Sequence, residues 1–73
     1  MNTVYIHIDE TLDTDTFHKL KDELMHVPHV NNVEMNLNNP HDVLVEYEEH
    51  HNTPIAILQA LASRGLHSDI MSA

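Results

Sequence analysis

The 73-residue chain is strongly acidic: 12 aspartate and glutamate residues oppose 3 lysine and arginine residues, and the formal net charge is -9 with its 8 histidines neutral. This charge repels phosphate backbones and anionic lipids, so it argues against nucleic acid and membrane surfaces as partners. The chain has no cysteine, which excludes disulfides, thiolate catalysis and thiolate metal sites.

The length favours one domain with a small core, so we expect residues 1–73 to fold as a single unit. A composition that is 41% hydrophobic, with one glycine and three prolines, is typical of a compact globular domain. No basic segment precedes an apolar run, and no membrane anchor is evident. We therefore expect a cytoplasmic location.

The first predicted elements are a strand and a helix. In the segment TVYIHIDE, apolar and polar residues alternate, which predicts a strand with one buried face. The segment TLDTDT then offers helix-capping residues, so that Asp13, Thr14 or Asp15 would start a helix that ends before Pro28. The apolar residues at helical spacing are Phe17, Leu20, Leu24 and Val27.

The second half of the chain predicts a hairpin, a helix and a last strand. The segments NNVEMNL and VLVEYE alternate around the turn residues NNPHD. A Thr53-Pro54 pair begins the next helix, Gly65 ends it, and LHSDIM forms the last strand over 66–71. The residues expected on the buried face of the hairpin are Val33, Met35, Leu37, Val43, Val45 and Tyr47.

This order of strand, helix, strand, strand, helix, strand predicts an α+β fold of the ferredoxin-like βαββαβ type. Its four-stranded antiparallel sheet would be covered on one face by both helices. The other face would be open and would carry Tyr5, His7, Leu44 and His67. That face is either half-polar surface or an interface for a partner or a second copy.

The segments VPHVNNVEMNL and VLVEYEEHHNTPIAILQALASRGLHSDI resemble the heavy-metal-associated domain, the fold of small copper and mercury carriers and of the N-terminal modules of metal-pumping ATPases. The resemblance covers nearly the whole chain. His29 stands where the family has glycine, and Leu66 stands in place of a final aromatic residue. The resemblance implies the same ferredoxin-like fold and a role in metal carriage.

The family binds metal in a loop of the form Gly-Met-x-Cys-x-x-Cys before the first helix. Counting back from Val30 places Asp13 and Thr16 on the two cysteine positions, with Glu10 and Thr11 replacing the glycine and the methionine. Thiolates prefer soft cations, whereas carboxylate and hydroxyl oxygens prefer hard ones. The copper(I) chemistry that the resemblance implies therefore has no ligands here.

The histidines suggest other ligands. In the predicted topology, the end of the domain where the first helix exits and the second begins, called the far end, gathers His26, His29, His50 and His51 beside Glu48 and Glu49. Imidazole with carboxylate suits Zn, Ni, Co or Cu(II), so these four histidines are the first candidate metal site. The opposite end, called the loop end, supplies a second candidate set of Asp13, Asp15, Thr16 and His67. No zinc motif of fixed spacing is present, and solvated surface histidines are the alternative.

Two functional hypotheses follow. The first is a non-catalytic metal-trafficking or metal-buffering domain with histidine and carboxylate ligands for a divalent cation. The alternative is a protein-interaction or regulatory module that carries no metal and either binds a basic partner or self-associates as a homodimer. No serine or threonine forms a recognisable nucleophile arrangement with histidine and carboxylate, so we do not expect an enzyme.

Overall fold

The computed structural model describes residues 1–48 and 52–72 and confirms the predicted fold class. The elements in chain order are β1 (Asn2–Ile8), α1 (Thr14–Leu24), β2 (Val30–Met35), β3 (Asp42–Tyr47), α2 (Thr53–Ser63) and β4 (Ser68–Ser72). The strands form one antiparallel sheet in the order β2-β3-β1-β4. None of the helices in these described ranges is long and apolar enough to span a membrane.

The hydrophobic core lies between one face of the sheet and the two helices. The alternating pattern of β1 places Val4, Ile6 and Ile8 on that face, each at most 1% exposed. The core residues from the other strands are Val30, Val33, Val43, Val45 and Tyr47, and the helices contribute Phe17, Leu20, Leu24, Ile57 and Leu61. The opposite face of the sheet carries the alternate residues, which are polar side chains together with Tyr5 and Leu44.

Helix α1 begins where its capping chemistry predicts. Asp13 is the N-cap, and its Oδ1 accepts a hydrogen bond of 2.7 Å from the backbone N–H of Thr16. The helix ends at Leu24, three residues before the predicted Val27. Val27 still packs against the core, but from the turn that follows the helix.

The prediction that Leu37 lies on the buried face of the hairpin is wrong, because this residue is 91% exposed. Strand β2 ends at Met35, and the Asn36 side chain then accepts a hydrogen bond from the Asn38 N–H at 2.9 Å. This local bond bends the chain into the turn. The alternation that buries Val33 therefore does not extend to Leu37.

The last strand also begins later than predicted, at Ser68 instead of residue 66. Helix α2 ends at Ser63, and Gly65 adopts a φ of +79° that reverses the chain direction. The Leu66 N–H then bonds back to the Leu61 carbonyl at 3.1 Å. Leu66 therefore belongs to the helix-ending turn and packs against the core from there.

Replacing Asp13 with alanine removes the acceptor that caps α1. We expect Asp13→Ala to lower the Tm by about 4–8 °C, which corresponds to losing a typical N-cap in a domain of this size. Asp13→Asn is the matched control, because asparagine caps helices about as well as aspartate and should leave the Tm almost unchanged. Thermal unfolding followed by circular dichroism measures both. Equal Tm values for the alanine and asparagine variants would contradict the capping role.

Candidate functional site

The loop end is assembled by backbone hydrogen bonds from three separate parts of the chain. At the end of β1, the Ile8 N–H donates to the His41 carbonyl at 2.7 Å, and the Asp9 N–H donates to the His67 carbonyl at 2.8 Å. The first bond fastens the β2–β3 turn, and the second fastens the connection from α2 to β4. The residues after β1 are thus held between two histidine-bearing segments.

Glu10 and His67 form a two-point contact across this end. The His67 backbone N–H donates to Glu10 Oε1 at 2.8 Å, and His67 Nδ1 lies 2.6 Å from Glu10 Oε2. The hydrogen bond to the carboxylate, reinforced by its charge, raises the pKa of His67 above its ordinary value. The same side-chain bond, together with the His67 backbone N–H, lowers the pKa of Glu10. Each group therefore favours the charged form of the other.

His7 lies on the open face of the sheet beside a buried carboxylate. Its Nδ1 lies 3.0 Å from Asp42 Oδ1, and since a carboxylate accepts, this nitrogen donates. The Asp42 side chain is only 12% exposed. His7 Nε2 lies 3.6 Å from Asp9 Oδ1, and Asp69 stands directly opposite His7 on β4. The imidazole thus lies in an acidic setting at the edge of the loop end.

His41 is held by main-chain acceptors. Its Nδ1 lies 2.9 Å from the Ile8 carbonyl oxygen and 3.2 Å from the Glu10 carbonyl oxygen, so it must donate to them. The ring lies 5.6 Å from that of His7, measured between centroids. These contacts fix both rings against the end of β1 and leave Nε2 of His41 as the nitrogen that can accept.

The structure divides the second candidate set. Asp13 and Thr16 are adjacent through the helix cap, whose two hydrogen bonds from Thr16 lower the pKa of Asp13. Asp15 is exposed in the first turn of α1. His67 contacts Glu10, a residue outside the predicted set. The cap gives Asp13 and Thr16 a structural role at the start of α1.

The first candidate set lies partly outside the described residues, since these exclude His50 and His51. Both of its other histidines are exposed at the end of α1. His26 Nδ1 donates to the Asp22 carbonyl at 2.6 Å. His29 adopts a φ of +74°, in the left-handed region that glycine occupies most readily.

Residues on both sides of the segment 49–51, which lies outside the described ranges, are nevertheless close to His29. The Glu48 N–H donates to the His29 carbonyl at 2.8 Å. A shallow cavity of about 180 Å³ beside His29 is lined by Pro28, His29, Asn52, Thr53 and Ala56. The predicted meeting of the α1 exit with the α2 entry is therefore present at the far end.

Within residues 1–48 and 52–72, no group of three or more histidine, aspartate or glutamate side chains is placed to hold a metal ion. Both candidate sets remain predictions. Sequence reasoning missed the contacts of Glu10 with His67 and of Asp42 with His7. The contact of His7 with Asp42 could have been predicted from the β1–β3 register, in which these two residues are direct partners.

Replacing Glu10 with glutamine keeps the size of the side chain but removes its charge. We expect Glu10→Gln to lower the pKa of His67 towards its ordinary value of 6.5, as measured from the imidazole NMR signals during a pH titration. Glu48→Gln is the control, because Glu48 contacts Asn31 at the far end and should leave the pKa of His67 unchanged. An unchanged pKa in Glu10→Gln would show that the two side chains do not interact in solution.

The pair also sets a pH window for its own contribution to stability. Because the pKa of Glu10 is lowered, its contribution is present above the ordinary value of 4.5 and is lost as the pH falls through the folded-state pKa. Because the pKa of His67 is raised, its contribution is present below 6.5 and is lost as the pH rises through the folded-state pKa. The contact is therefore complete between pH 4.5 and 6.5.

No protein-family model and no curated protein matches the sequence, whereas the fold has clear counterparts among solved structures. The yeast copper transporter domain Ccc2a superposes with a TM-score of 0.82 at 14% identity, over 97% of this chain and 96% of that one. Oxidised MerP from Ralstonia metallidurans CH34 gives 0.81 at 15% identity, over 97% of each chain. The N-terminal domain of PacS from Synechocystis PCC6803 gives 0.79 at 17% identity, over 99% and 100%. At these identities the likeness establishes a shared fold.

Proposed function

We propose that this chain is a small non-catalytic metal-binding domain, active in metal trafficking or buffering, that binds a divalent transition metal through histidine and carboxylate groups. The proposed ligands are the far-end histidines His26, His29, His50 and His51. Support comes from the fold shared with a copper transporter domain. The chain has no cysteine, and its eight histidines and twelve carboxylates suit Zn, Ni, Co or Cu(II).

The observation that carries the choice of the far end is the position of His29. The His29 carbonyl accepts a hydrogen bond from the N–H of Glu48, and His29 and Asn52 line the same cavity. Glu48 and Asn52 are the residues on either side of the three-residue segment 49–51, which contributes Glu49, His50 and His51. The two residues that flank this segment therefore lie beside His29, which supports the choice of His50 and His51 as its fellow ligands.

His26 contributes a second supporting feature. Since its Nδ1 donates to the Asp22 carbonyl, the lone pair of the neutral ring is on Nε2, which is the nitrogen left for a metal. Metal-bound histidines usually donate their other ring N–H to a carbonyl or carboxylate in this way. The contact with Asp22 would therefore orient the ring before the metal arrives.

The proposal implies a pH dependence. Ligand imidazoles must be neutral, so metal competes with protons for the same nitrogens. Affinity should fall as the pH decreases from roughly 7 to 5.5, the range in which ordinary histidines become protonated. A site made only of carboxylates would keep its affinity over this range.

The test is to titrate Zn(II), Ni(II), Co(II) and Cu(II) separately into the protein at pH 7. Binding is monitored by calorimetry and by the NMR signals of the histidine rings. We expect saturation near one equivalent, and a loss of at least about tenfold in affinity in the double variant His50→Ala/His51→Ala. His29→Gly is the second variant, because glycine adopts the observed φ of +74° without strain. His18→Ala is the matched control, since His18 is exposed on α1 and outside the proposed site.

Three results would contradict parts of this proposal. Unchanged affinity after replacing all four far-end histidines would overturn the site. Saturable shifts around Asp13 and His67 alone would move the site to the loop end. Diffuse shifts that do not saturate, spread over all eight histidines, would remove the metal-binding function and favour the interaction module.

A further inference from the structure

Helix α2 differs from the rest of this acidic chain because its sequence, TPIAILQALAS, contains no charged residue. Helix α1 has the same length of 11 residues and carries five charged residues, namely Asp15, Lys19, Lys21, Asp22 and Glu23. The outer side of α2 includes an apolar residue, Ile55, that is 55% exposed. On a chain of net charge -9, α2 is thus a helix that carries no charge and exposes an isoleucine.

This uncharged helix borders an apolar groove at the edge of the sheet. The groove has a volume of about 430 Å³ and lies between α2 and the start of β4. Its apolar lining consists of Ile55, Leu58, Ala62 and Leu66. On β4 itself, Ile70 is 37% exposed and Met71 is 55% exposed. The groove and the exposed residues of β4 are together called here the α2–β4 edge.

Strand β4 is at the edge of the sheet, and within the described residues β1 is its one strand neighbour. In an antiparallel ladder, alternate residues direct their backbone groups towards one neighbour. Since the Asp9 N–H bonds to the His67 carbonyl, the backbone groups of His67 and Asp69 point towards β1. Those of Ser68 and Ile70 therefore point away from the sheet, where another strand can pair with them.

We infer that the α2–β4 edge binds a second copy of this chain, with the two β4 strands pairing antiparallel about a two-fold axis at Ile70. The outward backbone groups of Ile70 then exchange two hydrogen bonds with those of the partner's Ile70. Asp69 faces the partner's Met71, so no two carboxylates stand directly opposite each other. The two sheets join into one sheet of eight strands, and the α2 helices lie on the same side of it.

Charge is the reason that the occupant is a second copy. Two chains of charge -9 repel each other, and this repulsion is weakest where the facing elements carry few charges. The charged and titratable groups at this edge are Arg64, His67 and Asp69, and the first two are paired with Glu23 and Glu10. A basic partner would gain nothing from the uncharged α2, whereas an identical apolar surface complements it.

The other edge of the sheet is less suited to this pairing. Strand β2 has a register irregularity between Val30 and Asn32, which disrupts a regular ladder. The groove beside it contains the charged residues Lys21 and Glu34. Strand β4 also has an irregularity, between Ile70 and Ser72, so the charged groove is what distinguishes the β2 edge from the β4 edge.

The dimer should be weak and should strengthen with salt. An 11-residue helix and a 5-residue strand are each only about 16–17 Å long. An interface of this size is at the low end for specific complexes, so we expect a dissociation constant that is about micromolar or weaker. The two Asp69 side chains are diagonal neighbours about 7–8 Å apart, and salt screens this repulsion.

The test is sedimentation equilibrium of the metal-free chain in the presence of a chelator, from about 10 µM to 1 mM and in about 0.05 M and 0.5 M NaCl. We expect a monomer–dimer equilibrium that shifts towards dimer at the higher salt. Ile55→Glu should shift it towards monomer by about tenfold or more. This variant should remain folded, because Ile55 is exposed in the first turn of α2, where glutamate is favoured.

Leu37→Glu is the matched control, since it makes the same change at an exposed apolar residue on the β2–β3 turn and should leave the equilibrium unchanged. Amide hydrogen exchange supplies a second readout, in which the Ile70 N–H becomes more protected as dimer forms. A monomer at every concentration and salt would overturn the inference. So would a dimer that Leu37→Glu dissociates and Ile55→Glu does not, or one in which Ile70 exchange is independent of concentration.

Discussion

Burial of β1 is the constraint on which the other features of this domain depend. The strand lies between β3 and β4, and Val4, Ile6 and Ile8 fill the middle of the core. A shift of one residue in its pairing would move these side chains to the open face and would bury His7. The fixed register instead places His7 opposite Asp42. The core thus determines which polar groups meet on the other side of the sheet.

The same strand determines the geometry of the loop end. Because β1 is central, the residues that follow it come between the hairpin turn and the α2–β4 connection, where His41 and His67 lie. In His7, His26, His41 and His67, Nδ1 lies within hydrogen-bond distance of an oxygen atom. In the contacts of His7, His41 and His67, β1 or the residues directly after it bring the two partners together. Nε2 is consequently the nitrogen that these rings present to a ligand.

Much of the fold could be predicted from the sequence because its signals are local. Alternation identified β1 and β3, and a run of capping residues identified the start of α1 at Asp13. Leu37 was misplaced because alternation does not indicate where a strand gives way to a turn, which here depends on the Asn36 side chain. Val27 fits the helical spacing of α1, but it lies in the turn after the helix and packs against the core from there.

The candidate site was less accessible to sequence reasoning because its contacts join residues that are far apart in the chain. The pair Glu10 and His67 is separated by 57 positions, and His7 and Asp42 by 35. These contacts depend on the strand register and on the turn after α2. Neither can be predicted from the spacing of residues along the sequence. The first candidate set remains a prediction, since His50 and His51 lie outside the described residues.

The single glycine of the chain, Gly65, stands where the backbone turns through a φ of +79° at the end of α2. Every other residue has a side chain that restricts its backbone, so the unfolded chain samples fewer conformations than a glycine-rich one of equal length. Folding then loses less conformational entropy per residue. For a domain of 73 residues with a small core, this smaller entropy loss adds to the stability that the buried apolar surface provides.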